Sequence, residues 1–278
     1  MSTIILSAQL KVKILLDMAE FLNEATARWY TRRGLPYRRG YLFSGAPGTG
    51  KTSISFAIAG VFRLPIYVLS LQDPTISEND LMILFTHLPE KCVMILEDID
   101  SAGIRNRGKA IQTQGPHRLD SDRKDAVDQE TDSRISLSGL LNVIDGIAST
   151  EGRILIMTTN SVITLDPALI RPGRIDMIID FELLDRSGAK DLFNLMYRDS
   201  ASTIEHTTTK VIDQAELKDL AERFAKQMPE KVFSPAEVQG YLLLEKHNPQ
   251  NAVKGFQTWI SKTQEQKKAE EHKRTEVE

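Results

Sequence analysis

The chain has 278 residues, room for one large domain or two smaller ones, and 41% of them are hydrophobic, which allows a real core. A formal net charge of −3 removes the global basic excess expected of a nucleic-acid binder, and a single cysteine, Cys92, excludes an internal disulfide. No stretch approaches the roughly 20 apolar residues of a membrane-spanning helix, and Ile4-Ile5-Leu6 is too short for a secretory signal.

Apolar residues at Leu10, Ile14, Met18, Phe21, Leu22 and Ala25 predict a helix over 10–29, stopped by Gly34 and Pro36. Trp29 reads as a packing residue at its end. A short buried strand is expected over 40–44, followed by Gly45-Ala46-Pro47-Gly48-Thr49-Gly50-Lys51-Thr52 and an apolar helix over 53–62. Residues 65–71 predict a strand and 78–88 a helix with Phe85 on its core face. The continuous apolar run 92–96 predicts a strand buried on both faces. It ends in Glu97-Asp98-Ile99-Asp100. Residues 101–134 are charged and poor in apolar side chains, which predicts a flexible insertion. Strands follow at 153–159, ending in Thr158-Thr159-Asn160, and at 177–181. Helices are expected over 187–197, 214–226, 235–246 and 250–271, the third opened by Ser234-Pro235. Strands that alternate with helices mean an α/β fold with a mainly parallel sheet, here followed by a small all-helical domain.

The segment 45–52 fits G-x-x-x-x-G-K-[ST], the loop whose backbone amides cradle the phosphates of ATP or GTP. Strand before and helix after supply the context that the motif requires. Lys51 is expected to reach the β- and γ-phosphates, and Thr52 to sit on Mg²⁺. Hydrolysis also needs a carboxylate near the metal, a group that orients water, and positive charge for the transition state. Glu97 is the candidate for the metal's shell and Asp98 for polarising the attacking water. Asn160, at the end of the next strand, is a candidate for the γ-phosphate or the water, because an amide both donates and accepts. Two arginines around Pro-Gly, Arg171 and Arg174, form a rigid basic turn. The five histidines show no ligand spacing, and Cys92 reads as a small hydrophobe.

The phosphate loop, the acidic strand end, Asn160 and the run LDPALIRPGRID together resemble the AAA ATPases. The stretches WYTRRGLPYRRGYLFSGAPGTGKTS, ILEDID, LSGLLNVIDGIASTEGRILIMTTN and FSPAEVQGYLL are similar to one mitochondrial branch of that family. This branch comprises the inner-membrane chaperones that translocate the Rieske iron–sulfur protein during respiratory complex III assembly. The resemblance covers about residues 10–260. It implies a P-loop AAA domain with a helical lid, ATP and Mg²⁺ as ligands, and a homo-oligomeric ring, a heptamer in that group. It also implies a protein client, no nucleic acid, and a matrix-facing ATPase at the mitochondrial inner membrane. Arg171 and Arg174 match the arginine-finger positions that reach into a neighbouring subunit's site. Glu97-Asp98 reverses the Asp-Glu order of most AAA proteins. No aromatic-glycine pore loop appears over 71–92, which suits a folded client better than a threaded one. The usual arginine of the lid helix is missing from Ser234-Pro235-Ala236-Glu237. Family members carry a membrane helix and a specific domain ahead of the ATPase, so the chain reads as a fragment or a shortened relative, attached to membrane only through a part absent here.

The expected organisation is therefore an N-terminal helix and linker over 1–36, an α/β ATPase domain over 37–184, a helical lid over 185–262 and a charged tail over 263–278. The leading expectation is an ATP-hydrolysing, ring-forming chaperone or translocase. A nucleotide-gated scaffold with little turnover is the alternative, which the reversed acidic pair keeps open.

Overall fold

The computed structural model describes residues 4–73, 75–100, 135–146, 151–198 and 213–275; the charged segment 101–134 lies outside them. The chain divides into two compact units. The first comprises Lys11–Gly45 and Lys51–Phe181, and the second Ser2–Leu10, Ala46–Gly50 and Glu182–Glu278. No helix among the described residues is long and apolar enough to cross a membrane.

Helices α1 (Ala8–Phe21) and α2 (Glu24–Thr31) replace the single helix expected over 10–29. The break has a chemical cause. The Asn23 side chain accepts from Ala25 N at 2.9 Å and caps α2, so the apolar period runs on while the backbone restarts. Ile14, Met18 and Phe21 of α1 are buried. Trp29 is not a packed residue: its ring is half-exposed, with the Arg33 guanidinium over it at 4.0 Å.

The first unit holds a parallel sheet in the order β2-β3-β4-β1-β5, with β1 (Arg39–Gly45), β2 (Ile66–Ser70), β3 (Val93–Glu97), β4 (Ile154–Thr159) and β5 (Met177–Phe181). Each described pairing is parallel. The interior of β1 and β3 is buried, as continuous apolar runs require of strands covered on both faces. Tyr41 is buried in β1, and its hydroxyl donates to Asp17 of α1, which also pairs with Arg39. Burial first, and the Asp17 carboxylate second, push the Tyr41 phenol far above its ordinary value.

Helices α3 (Lys51–Phe62), α4 (Glu78–His87) and α5 (Leu137–Asp145) belong to this unit. Ser77 and Asp80 close a capping box on α4, and Ser136 caps α5. Phe85 and Cys92 are core residues beside Leu81, Met94 and Leu140. The carboxyl end of α4 is closed by a buried cation. The Arg153 guanidinium donates to the carbonyls of Phe85 at 2.5 Å and Pro89 at 3.1 Å, and also to that of Leu88.

The second unit is helical: α6 (Arg186–Tyr197), α7 (Gln214–Gln227), α8 (Pro235–Leu244) and α9 (Pro249–Thr275). Asp185 caps α6 and Ser234 caps α8, where Pro235 takes the first helical position. Its core is aromatic. Phe224 stacks on Phe256 at 3.9 Å between centroids and meets Phe193 at 5.0 Å, while Tyr241 meets Phe256 at 5.3 Å. Pairs of this kind contribute about 0.5–1.5 kcal/mol each beyond simple burial.

Candidate nucleotide site

The loop that joins β1 to α3 has the backbone its glycines predict. Gly45, Gly48 and Gly50 all take positive φ, at 145°, 76° and 97°. Side chains rarely tolerate this region, and amide groups turned this way can converge on one anion. A β-carbon on Gly45 would also meet the Phe181 carbonyl at 2.2 Å. Thr49, buried, donates from Oγ1 to the Ala46 carbonyl at 2.8 Å and closes the loop on itself.

Lys51 opens α3 and is 7% exposed. Its Nζ donates to the Gly45 carbonyl at 2.5 Å and to Asn160 Oδ1 at 3.0 Å. Burial lowers its pKa, and the carboxylates of Asp98 and Asp100 oppose that shift. The cation is thereby held at the carboxyl ends of β1 and β4, where parallel sheets place their ligands.

Thr52 Oγ1 donates to Glu97 Oε1 at 2.8 Å. Two hard oxygen donors meet at the end of β3, the donor type that Mg²⁺ accepts while it keeps most of its waters. The residues present therefore fit a magnesium–nucleotide complex: turned amides and one cation for the phosphates, a hydroxyl and a carboxylate for the metal.

Asp98 follows in the left-handed region, at φ 47°. Non-glycine residues rarely sit there, and such strain persists only where neighbours enforce it. The enforcing contacts are visible: Asp98 N donates to Thr158 Oγ1 at 3.0 Å and Ile99 N to the Thr158 carbonyl at 3.0 Å. The turn after β3 is thus stitched to the end of β4. Burial raises the Asp98 pKa, Asp100 and Glu97 add to this, and Lys51 works against it. Asp100, to which the sequence assigned no role, accepts from Asn160 N at 3.3 Å through Oδ1.

The two arginines of the basic turn are placed differently. Arg174 donates to Asp145 of α5 and to the Ala168 carbonyl. Arg171 is exposed, and among the described residues no ion pair engages it. Asp145 escaped the sequence reading because its partner lies 29 residues away. Gly40 escaped it too. A β-carbon there would stand 1.7 Å from the Arg174 carbonyl oxygen, so only glycine lets the basic turn lie against β1. Asp176 completes that junction, with Oδ2 accepting from Gly40 N at 2.9 Å and its own N donating to Gly40 O at 2.8 Å.

Within the second unit, the start of α8 meets the loop. Ala236 N donates to the Gly48 carbonyl at 3.1 Å. Ser234 and Glu237 form a reciprocal capping box at this helix end.

Residues 41–183 match the model of the ATPase family associated with various cellular activities (AAA), and residues 186–258 match that of the mitochondrial chaperone BCS1-like ATPase lid domain. The mitochondrial chaperone BCS1 of Homo sapiens is 36% identical over 255 residues, which cover 91% of this chain and 54% of that protein. The probable mitochondrial chaperone BCS1-A of Dictyostelium discoideum is 35% identical over 258 residues, 93% of this chain and 54% of that protein. The probable mitochondrial chaperone bcs1 of Schizosaccharomyces pombe is 33% identical over 253 residues, 91% and 48% respectively. The chain spans about half the length of these relatives.

Proposed function

Because the chain belongs to the AAA ATPase family and carries a BCS1-like lid, we propose that it hydrolyses ATP and uses the cycle to remodel or translocate a protein client as part of a homo-oligomeric ring. One observation carries most of this reading: Lys51 and Thr52, consecutive at the start of α3, contact Asn160 after β4 and Glu97 at the end of β3. A phosphate cation, a metal oxygen pair and a polar amide converge on adjoining strand ends.

The roles follow from the chemistry of each group. The amides of 45–50 and the Lys51 ammonium bind the polyphosphate. Thr52 and Glu97 hold Mg²⁺, which neutralises phosphate charge when bound. Asp98 accepts a hydrogen bond or proton from the attacking water, and Asn160 orients the γ-phosphate and the lysine. Arg171 of a neighbouring copy supplies transition-state charge, while Arg174 holds the turn that carries it.

The curated relatives are named mitochondrial chaperones, and a matrix-facing place at the inner membrane, a heptameric ring and a folded client are proposed from that likeness alone. Steady-state phosphate release from the wild type and Asp98→Asn tests the central step. A clear loss in the variant is expected; equal rates would favour a scaffold that binds ATP without turning it over. Electron microscopy with a slowly hydrolysed ATP analogue tests the ring.

A further inference from the structure

Helix α9 continues to Thr275, past residue 258 where the lid match ends. Its inward stripe is Val253, Phe256 and Ile260, all buried, and helical spacing brings Lys267 onto the same face. Lys267 does not trail into solvent. Its Nζ pairs with Glu237 Oε1 at 2.8 Å, donates to the Val232 carbonyl at 3.1 Å, and lies 4.8 Å from the centre of the Phe233 ring.

Glu237 is therefore a shared group. One oxygen takes Lys267. The other, Oε2, accepts from Ser234 N at 2.8 Å and Ser234 Oγ at 3.0 Å. Ser234 is 4% exposed, and its hydroxyl would lie 2.9 Å from a β-carbon on Gly48. Ala236, next in line, donates to the Gly48 carbonyl at 3.1 Å and would meet the same β-carbon at 3.0 Å. An unbroken set of contacts runs from the far part of α9 through the cap of α8 to the middle glycine of the phosphate loop.

We propose that Lys267 is a positioning residue for nucleotide retention: by pinning Glu237 it fixes the α8 cap against Gly48, and so sets how fast the loop releases bound nucleotide. The inference rests on the reading of 45–52 as a phosphate loop. It gives the far part of α9 a role that its charged composition conceals, and it names Glu237 as a group of the lid helix through which the loop is held in a chain that lacks the expected arginine there.

The test uses the full chain and a fluorescent ADP analogue, with equilibrium titration and stopped-flow release for wild type, Lys267→Ala, Lys267→Arg and Glu237→Gln. The pair is partly exposed, so the effect is modest: Lys267→Ala and Glu237→Gln should release the analogue about two- to fivefold faster and bind it correspondingly more weakly. Lys267→Arg should recover at least half of the difference. Release from folded Lys267→Ala and Glu237→Gln at the wild-type rate, even with a lowered melting temperature, would reduce the contact to a structural brace and overturn the inference. If either variant fails to fold, the other decides. A wild type that binds no nucleotide would instead overturn the phosphate-loop reading itself, and this inference with it.

Discussion

Arg174 Nε donates to Asp145 Oδ2 at 2.7 Å, and the same guanidinium also reaches the Ala168 carbonyl. Arg38 stands 3.5 Å from the other Asp145 oxygen, so the end of α5 gathers two arginines of its own chain. Arg171, three positions before Arg174 and chemically identical, is exposed. The turn thus divides two like residues between different tasks. Arg174 is engaged within its own chain, and Arg171, which no ion pair engages among the described residues, is the one proposed to act in a neighbouring copy.

That division predicts unequal mutants. Arg171→Ala should lower turnover by about 10²-fold or more, since arginine fingers contribute on the order of 10³–10⁵ in related phosphoryl transfer. Nucleotide affinity should stay within a few-fold. Arg174→Ala and Asp145→Asn should each lower turnover, and the double variant should fall short of the sum of the two singles, because both remove the shared Arg174–Asp145 pair while each also loses a contact of its own, to Ala168 and to Arg38. Phosphate release with parallel nucleotide titrations checks this; unchanged turnover in Arg171→Ala would remove the finger assignment.

The acidic pair gives a second prediction. Asp98→Asn preserves volume and the hydrogen bond from Asp98 N to Thr158 but removes the proton acceptor. Turnover should fall about 10²–10⁴-fold with ATP binding retained. Lys51→Ala should do the reverse in kind, with binding itself lost, because the cation proposed to meet the phosphates is gone and Asn160 Oδ1 loses the lysine donor. The pattern of kcat against binding loss separates the two roles.

Why some of this was readable and some was not can be seen in particular residues. The loop 45–52 and the buried run that becomes β3 are local chemistry: tight spacing of glycines before Lys-Thr, and apolar side chains without alternation. The helical lid was legible from period and from Ser234-Pro235. The break at Asn23 was not, because a cap changes the backbone without disturbing the apolar period. Sheet order was not legible either. Only when β4 lies between β3 and β1 do Thr158 and Asp98 meet, and only then does Asp100 reach Asn160. Gly40 looked like any small residue in a strand until a backbone from 134 residues later was seen against it.

Arg153 offers a stability test remote from the candidate site. Its guanidinium serves three carbonyls at the end of α4 and is 7% exposed. Arg153→Met keeps the aliphatic stem and strands those acceptors. Each unsatisfied buried group costs about 1–3 kcal/mol, so a loss on the order of 3 kcal/mol is expected after partial relaxation. Urea unfolding should show it, and the folded fraction should bind nucleotide normally.

Glu237 supplies a pH dependence whose sign is fixed by its neighbours. Burial works to raise its pKa, but Lys267 and the Ser234 donors outweigh this and hold it below the ordinary 4.5. The carboxylate therefore binds protons less readily in the folded chain than in the unfolded one. Its contribution to stability is fully present above about pH 5 and is lost as pH falls through the depressed folded value. In Glu237→Gln the amide cannot titrate and the ion pair is gone at every pH. The difference in unfolding free energy between wild type and variant should thus be constant near neutrality, under about 1 kcal/mol for so exposed a pair, and should shrink steadily below pH 4.5. Urea titrations of both proteins from pH 7 to pH 3 measure that difference directly. A gap that widened on acidification would mean that Lys267 and Ser234 do not hold the charged form, and the coupling from α9 to the α8 cap would lose its electrostatic basis.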